Sequence, residues 1–217
     1  MNSYKSRLYE KLYSYHKSHD GAFDVALDIA TGTGQVSSVL ASKFKQVYAT
    51  DISPFMLKNA IKKPNIIYSV STAENLSQFS SSSIDLITVA EAAHWFNMSE
   101  FFKESARVLK PNGTLAIWGY DFNIFKDYPR ATKMVYNLAV NEMDEYWEKG
   151  AKFLNDLYRS FIKVPEDLFQ EIKWEFYGGD DTKGEVLMET KWPIPQYTNY
   201  LKVNIYSLYC NFIAMAL

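Results

Sequence analysis

Asp28-Ile29-Ala30-Thr31-Gly32-Thr33-Gly34 is the stretch whose reading decides the fold. It follows a short apolar run, Val25-Ala26-Leu27, and leads into residues 35–44, where Val36, Val39, Leu40 and Phe44 fall on one helical face. A strand, a turn with two glycines one residue apart, and a helix are expected in that order. Glycine lets the backbone turn sharply and lets a ligand come close, because no Cβ stands in the way. A helix start also offers free amide groups. A second apolar run, Val47-Tyr48-Ala49-Thr50, ends at Asp51, where a carboxylate suits the two hydroxyls of a ribose. The opening third therefore reads as a site for a nucleoside-type cofactor.

Outward from this stretch the pattern alternates. Residues 7–17 carry apolar or aromatic side chains at 8, 9, 12, 13 and 15, as an amphipathic helix does. Ser53-Pro54 caps a helix running to Ile61, with proline at its first position. Residues 65–71 form a strand, Ser80 to Ser83 a polar loop, and Ile84 to Ala90 a strand. Asn97 to Leu109 reads as a helix with Met98, Phe101, Phe102, Ala106 and Leu109 inward. Lys110-Pro111-Asn112-Gly113 is a turn, and Thr114 to Tyr120 the fifth strand. This order predicts an α/β fold with a mainly parallel sheet and helices on both faces. Ligands in such sheets bind beyond the strands' C-terminal ends, where Asp28 to Gly34 and Asp51 fall. Further on, residues 128–158 read as helical, and Phe169 to Tyr177 and Glu185 to Trp192 as a hairpin around Gly178 to Gly184.

Composition narrows the partners. The 217 residues suit one domain with a sizeable core. A net charge of -2 and the absence of a basic stripe argue against nucleic acid as a partner. The single Cys210 leaves no intrachain disulfide and no cysteine-based metal site, and it fits a reducing, cytoplasmic setting. The start is polar and lacks a signal-peptide core. The apolar stretch Ile205 to Leu217 is too short to span a bilayer, so no membrane attachment is expected. No metal and no obligate protein partner is inferred.

Together these residues resemble the class I S-adenosylmethionine-dependent methyltransferases, and the resemblance implies a Rossmann-like sheet. Asp28 to Gly34 looks like their glycine-rich first motif, with Ala30 and Thr31 where glycine and cysteine are usual. Asp51-Ile52-Ser53 with Met56-Leu57 looks like the ribose-binding strand end and the next helix, and Ser71-Thr72-Ala73-Glu74 sits where the third strand meets the adenine. Ala90-Glu91-Ala92-Ala93-His94-Trp95-Phe96 and Arg107 to Gly113 resemble a narrower group, the trans-aconitate methyltransferase-like proteins. The similarity runs from about Tyr4 to about Lys202. It therefore predicts a chain shortened at both ends, without the last two strands of the family's seven-stranded sheet. Residues 21–120 would be the cofactor core, 121–202 a lid or insertion on the substrate side of the same domain, and 203–217 an atypical tail. The fifth strand would then be an open edge unless the tail or the 169–192 hairpin covers it.

The resemblance implies S-adenosylmethionine as cofactor and a small-molecule acceptor, such as a carboxylic acid. Asp28 would help hold the methionine end, and Ala30, Thr31, Gly32 and Gly34 would form the loop around it. Asp51 would take the ribose hydroxyls beside Ile52 and Met56, and Thr72, Ala73 and Glu74 would flank the adenine. Ala90, Glu91 and His94 would sit by the methionine moiety and the substrate. His94 is the candidate catalytic base if the acceptor is a phenol or carbon acid; an ionised carboxylate needs none. Trp118 and Tyr120, at the end of the fifth strand, would line the acceptor pocket. Plainer roles compete: Asp51 as a helix cap, Glu74 as a solvated residue, Glu91 as a helix-start carboxylate, His94 as a packed histidine, Trp118 and Tyr120 as core. A nicotinamide-dependent oxidoreductase is disfavoured by Ser37 at the third glycine position of its fingerprint. A homologue that binds cofactor without turnover is the remaining alternative.

Overall fold

The side chains of β1, residues Val25–Ile29, alternate between two cores. Leu27 and Ile29 join one cluster and Ala26 the other. The period of two sends successive residues to opposite faces, and both faces are covered, so the strand is apolar almost throughout. The computed structural model describes residues 7–120, 125, 128–142, 157–177, 195 and 210–216. Their order is α1 (Arg7–Ser18), β1, α2 (Gln35–Leu40), β2 (Gln46–Asp51), α3 (Pro54–Lys58), β3 (Ile66–Val70), β4 (Ile84–Ala90), α4 (Met98–Val108), β5 (Leu109–Tyr120), α5 (Pro129–Asn137), β6 (Gln170–Tyr177) and β7 (Cys210–Ala216).

The seven strands form one sheet in the order β3-β2-β1-β4-β5-β7-β6. The first five run parallel to one another, while β7 runs antiparallel between β5 and β6. The Rossmann-like expectation therefore holds, and the expectation of two missing strands is overturned. β7 comes from the stretch read as an atypical tail, and its register, Thr114↔Ala216 to Tyr120↔Cys210, covers the edge of β5. β6 arises where a strand was expected, but its partner is β7. The proposed second arm, 185–192, lies outside the described residues, as do 143–156 of the helical stretch.

On one face Phe101, Phe102 and Val108 of α4 pack with Leu27, Ile87, Val89, Leu115 and Ile117. Burying each of the larger side chains contributes roughly 1.5–3 kcal/mol. On the other face Leu8, Tyr9 and Leu12 of α1 and Val36 and Leu40 of α2 meet Ala26, Val47, Leu86, Ala116 and Trp118. Helix starts follow their caps: the Ser53 hydroxyl accepts from Met56 N at 3.3 Å, and the Asn97 side chain accepts from Glu100 N at 3.5 Å. Residues 110–113 were expected as a turn and instead belong to β5. There the ladder steps from Ile84↔Leu109 to Leu86↔Thr114, and Asn112, at φ 64, absorbs the extra residues in a bulge.

Candidate active site

The loop between β1 and α2 is built from three positive φ angles, at Ala30 (55), Gly32 (56) and Gly34 (81). Ala30 holds this conformation with a Cβ, at a cost of about 1–2 kcal/mol. The loop is tied down by Thr31 N–H to the Thr50 carbonyl (2.9 Å) and Ile61 N–H to the Thr33 carbonyl (3.0 Å). The two glycines serve different ends. A Cβ on Gly34 would lie 2.3 Å from the Tyr68 hydroxyl, whereas one on Gly32 would meet nothing within 4 Å. Gly34 is needed for packing; Gly32 offers an open backbone face.

Asp28 is buried, and its carboxylate is the hub beneath this loop. One oxygen accepts from the Thr31 hydroxyl (2.5 Å) and Ser37 N–H (3.0 Å), and the other from the Thr88 hydroxyl of β4 (2.8 Å). Burial pushes its pKa up to about 6, against the pull of these hydrogen bonds. The carboxylate thus joins loop, helix start and neighbouring strand. Ser37, the position that disfavoured a nicotinamide site, is itself buried in this network.

Asp51 closes β2 with Oδ2 accepting from Gly32 N–H (2.8 Å) and Oδ1 from Ser53 N–H (2.8 Å). Each oxygen has a further lone pair for a hydroxyl donor. Asp51 thus ties the Gly32 loop to the turn into α3, whose N-cap is Ser53 and not Asp51. Ile52 and Met56 beside it are exposed, at 71% and 42%. After β3, Thr72 is exposed and Ala73 buried. Glu74 is no solvated bystander: Oε1 accepts from Asn97 N–H at 2.9 Å, bracing the entry to α4.

At the end of β4, Ala90 pairs with Trp118, and Glu91 takes φ 57. Its N–H donates to the Trp118 carbonyl (2.9 Å), and its carboxylate accepts from Tyr120 N–H. Glu91 therefore joins the ends of β4 and β5; it does not start a helix, since α4 begins at Met98. Trp118 is core, 1% exposed and edge-on to Tyr9. His94 lies on the short 3-10 turn Ala93–Trp95. Its Nδ1 is 2.8 Å from the Tyr158 hydroxyl, and burial draws its pKa down to about 4, leaving the ring neutral at pH 7. Tyr158 was not a candidate in the sequence. It sits in a stretch read as helix, and only the fold brings it to His94.

All the candidates from Asp28 to Glu91 thus gather at the C-terminal ends of the parallel strands or on the segments that follow them. Among the described residues no group of three His, Cys, Asp or Glu is arranged to hold a metal ion, and no helix is long and apolar enough to cross a membrane.

Residues 27–117 match the family model described as a methyltransferase domain. A Dictyostelium discoideum protein described as a methyltransferase is 40% identical over 152 residues, spanning 69% of this chain and 57% of its own length. A Saccharomyces cerevisiae protein described as a probable S-adenosylmethionine-dependent methyltransferase is 31% identical over 197 residues, 82% of this chain and 64% of that protein. The chain thus spans less than two thirds of the length of either relative. A solved structure described as a type II methyltransferase from Anaeromyxobacter dehalogenans has a TM-score of 0.69, at 20% identity, over 98% of this chain and 97% of that one. At that identity the likeness concerns the fold.

Proposed function

We propose that the chain is a class I S-adenosylmethionine-dependent methyltransferase and transfers a methyl group from S-adenosylmethionine to the carboxylate of a small molecule, as the trans-aconitate methyltransferase-like group does. The observation that carries this reading is the open face of Gly32 beside Asp51, whose carboxylate already orients that loop. The residues suit the cofactor: a close-approach backbone, a carboxylate with spare lone pairs, and exposed apolar side chains at Ile52 and Met56 for an adenine. When bound, S-adenosylmethionine supplies a methyl group on a sulfonium, with a neutral thioether as leaving group.

In this reading Asp51 accepts from the ribose hydroxyls, and Ile52, Met56, Thr72 and Ala73 flank the base. Gly32 lets the methionine end approach, and Asp28 acts through the loop it holds. Glu74 and Glu91 brace the walls. His94 meets the acceptor. An ionised carboxylate already has its nucleophilic lone pair at neutral pH, so the chain contributes alignment and exclusion of water rather than proton abstraction. Of residues 121–202, Tyr158, which reaches His94, would stand on the acceptor side of this same domain. We infer no nucleic acid, membrane or obligate protein partner for the reaction, and a reducing, cytoplasmic setting. A cofactor-binding protein without turnover, its acceptor pocket lost with its termini, was the alternative; β6 and β7 supply the two strands it took as missing.

The test is calorimetric titration with S-adenosylmethionine, followed by methyl-ester detection over a panel of small carboxylic acids and phenols. Binding, and turnover confined to acids, is expected. No heat and no thermal shift would sink the assignment.

A further inference from the structure

We propose that Tyr158 is a positioning residue that holds His94 in the tautomer with its proton on Nε2, so that the site presents a hydrogen-bond donor, not a base, to the acceptor. This rests on the methyl-transfer reading for its consequence, but not for its geometry. The Tyr158 side chain is fully buried, and its hydroxyl has one hydrogen-bond partner among the described residues, His94 Nδ1 at 2.8 Å. The two rings are stacked at 27° with centroids 5.9 Å apart. Burial, and after it the charge of Glu91, raises the phenol well above its ordinary pKa, so the hydroxyl keeps its proton.

A buried O–H must find an acceptor, because leaving it unsatisfied forfeits its hydration with no return. Among the described residues the acceptor in hydrogen-bond contact with it is the bare lone pair of Nδ1. If Nδ1 instead carried the proton, the phenolic hydrogen would be stranded in an apolar cluster containing Ala93, Phe101 and Ile162. A neutral imidazole that accepts at Nδ1 donates at Nε2. His94 Nε2 has no partner among the described residues, and the side chain is half-buried on the turn that follows the C-terminal end of β4.

The backbone around Tyr158 is specialised for this placement. Leu157 and Tyr158 take successive φ values of 61 and 62, a conformation that non-glycine residues adopt at a cost. The Tyr158 carbonyl then accepts from Phe161 N–H (3.1 Å) and Ile162 N–H (2.9 Å), closing a tight turn. The ring is delivered into the core beside α4 with its hydroxyl on His94.

The consequence is a substrate class. An Nε2–H complements the lone pairs of a carboxylate or carbonyl oxygen, and it cannot take a proton from a phenol or carbon acid. One carboxylate oxygen can rest on His94 while the other supplies the electron pair for the new O–CH3 bond.

The experiment is nitrogen-15 NMR of the full chain labelled at histidine, whose three residues, His16, His19 and His94, are few enough to assign with a His94→Gln variant. At pH 7, without cofactor, the His94 ring should show the pattern of protonated Nε2 and bare Nδ1. Tyr158→Phe should convert it to a mixture of tautomers. A protonated Nδ1 in the wild type would overturn the proposal, and so would an unchanged pattern in Tyr158→Phe; the wild-type spectrum decides even if the variant does not fold. In turnover, Tyr158→Phe should raise KM for a carboxylate acceptor about tenfold while leaving S-adenosylmethionine affinity unchanged. Faster methylation of phenols than of acids by the wild type would also refute the donor role. The expected tautomer without any methyl transfer would uphold the Tyr158–His94 couple and sink the methyltransferase reading instead.

Discussion

Replacing Gly32 and Gly34 by alanine, one at a time, should separate cofactor approach from packing within a single loop. At Gly34 the φ of 81 makes any side chain cost about 1–2 kcal/mol. The new Cβ would also lie 2.3 Å from the Tyr68 hydroxyl, which overpacks the site by roughly 1–3 kcal/mol more. Gly34→Ala should therefore lose about 2–5 kcal/mol, a fall in Tm of roughly 4–20 °C for a chain of this size. The Tyr68 hydroxyl donates to the Ile61 carbonyl at 2.6 Å, so it is not free to swing away. In a Tyr68→Phe background the offending oxygen is gone and the nearest ring carbon is at 3.2 Å, so much of the steric part should be recovered. At Gly32 a Cβ meets nothing, so Gly32→Ala should cost only the backbone strain, about 1–2 kcal/mol. Its methyl group would occupy the face left open to the ligand, and affinity for S-adenosylmethionine should fall on the order of 10–100-fold. Urea denaturation and calorimetric titration of the four variants measure both quantities. The reasoning is refuted if Gly34→Ala is as stable as wild type, or if Gly32→Ala binds cofactor undiminished.

Asp51→Ala should weaken S-adenosylmethionine binding sharply and also loosen the loop, since it releases both Gly32 N–H and Ser53 N–H; titration heat and thermal shift report the two effects. Phe102→Ala, in the α4 core, should cost about 3–5 kcal/mol in urea denaturation, with native-like cofactor affinity if the remaining fold holds. Acid should destabilise the protein through its buried histidines. Burial lowers the pKa of His16 and takes that of His94 to about 4, below the roughly 6.5 of the unfolded chain. The unfolded state therefore binds protons first, and stability present above pH about 6.5 declines as the pH falls toward 4. Asp28 works in the opposite sense: its folded pKa of about 6 lies above the roughly 3.9 expected unfolded, so protonation between these values favours the folded state. Asp28→Asn should make the acid decline steeper; an unchanged slope between pH 7 and pH 4 would contradict the burial argument.

Much of the site was legible because its determinants are local. The positive φ of Gly32 and Gly34, the strand-end carboxylates of Asp28 and Asp51, and the caps at Ser53 and Asn97 each act within a few residues, so spacing alone exposes them. The strands of the parallel core were equally plain, since burial on both faces favours largely apolar runs such as Ile84 to Ala90, polar only at Asp85 and Thr88. What short range could not reveal was which distant groups meet. Glu74 bracing Asn97, Glu91 bridging to Tyr120, and Tyr158 reaching His94 across 64 positions depend on how helices and loops pack on the sheet. β7 is the clearest case. A seven-residue apolar stretch shows neither its partners nor its direction, and only the unpaired backbone edges of β5 and β6 fix it between them. Local spacing in the chain marks the glycine loop and the parallel core and suggests the type of chemistry to look for. Tertiary structure decided the closure of the sheet and the state in which His94 is held, because both depend on pairing groups that the chain keeps far apart.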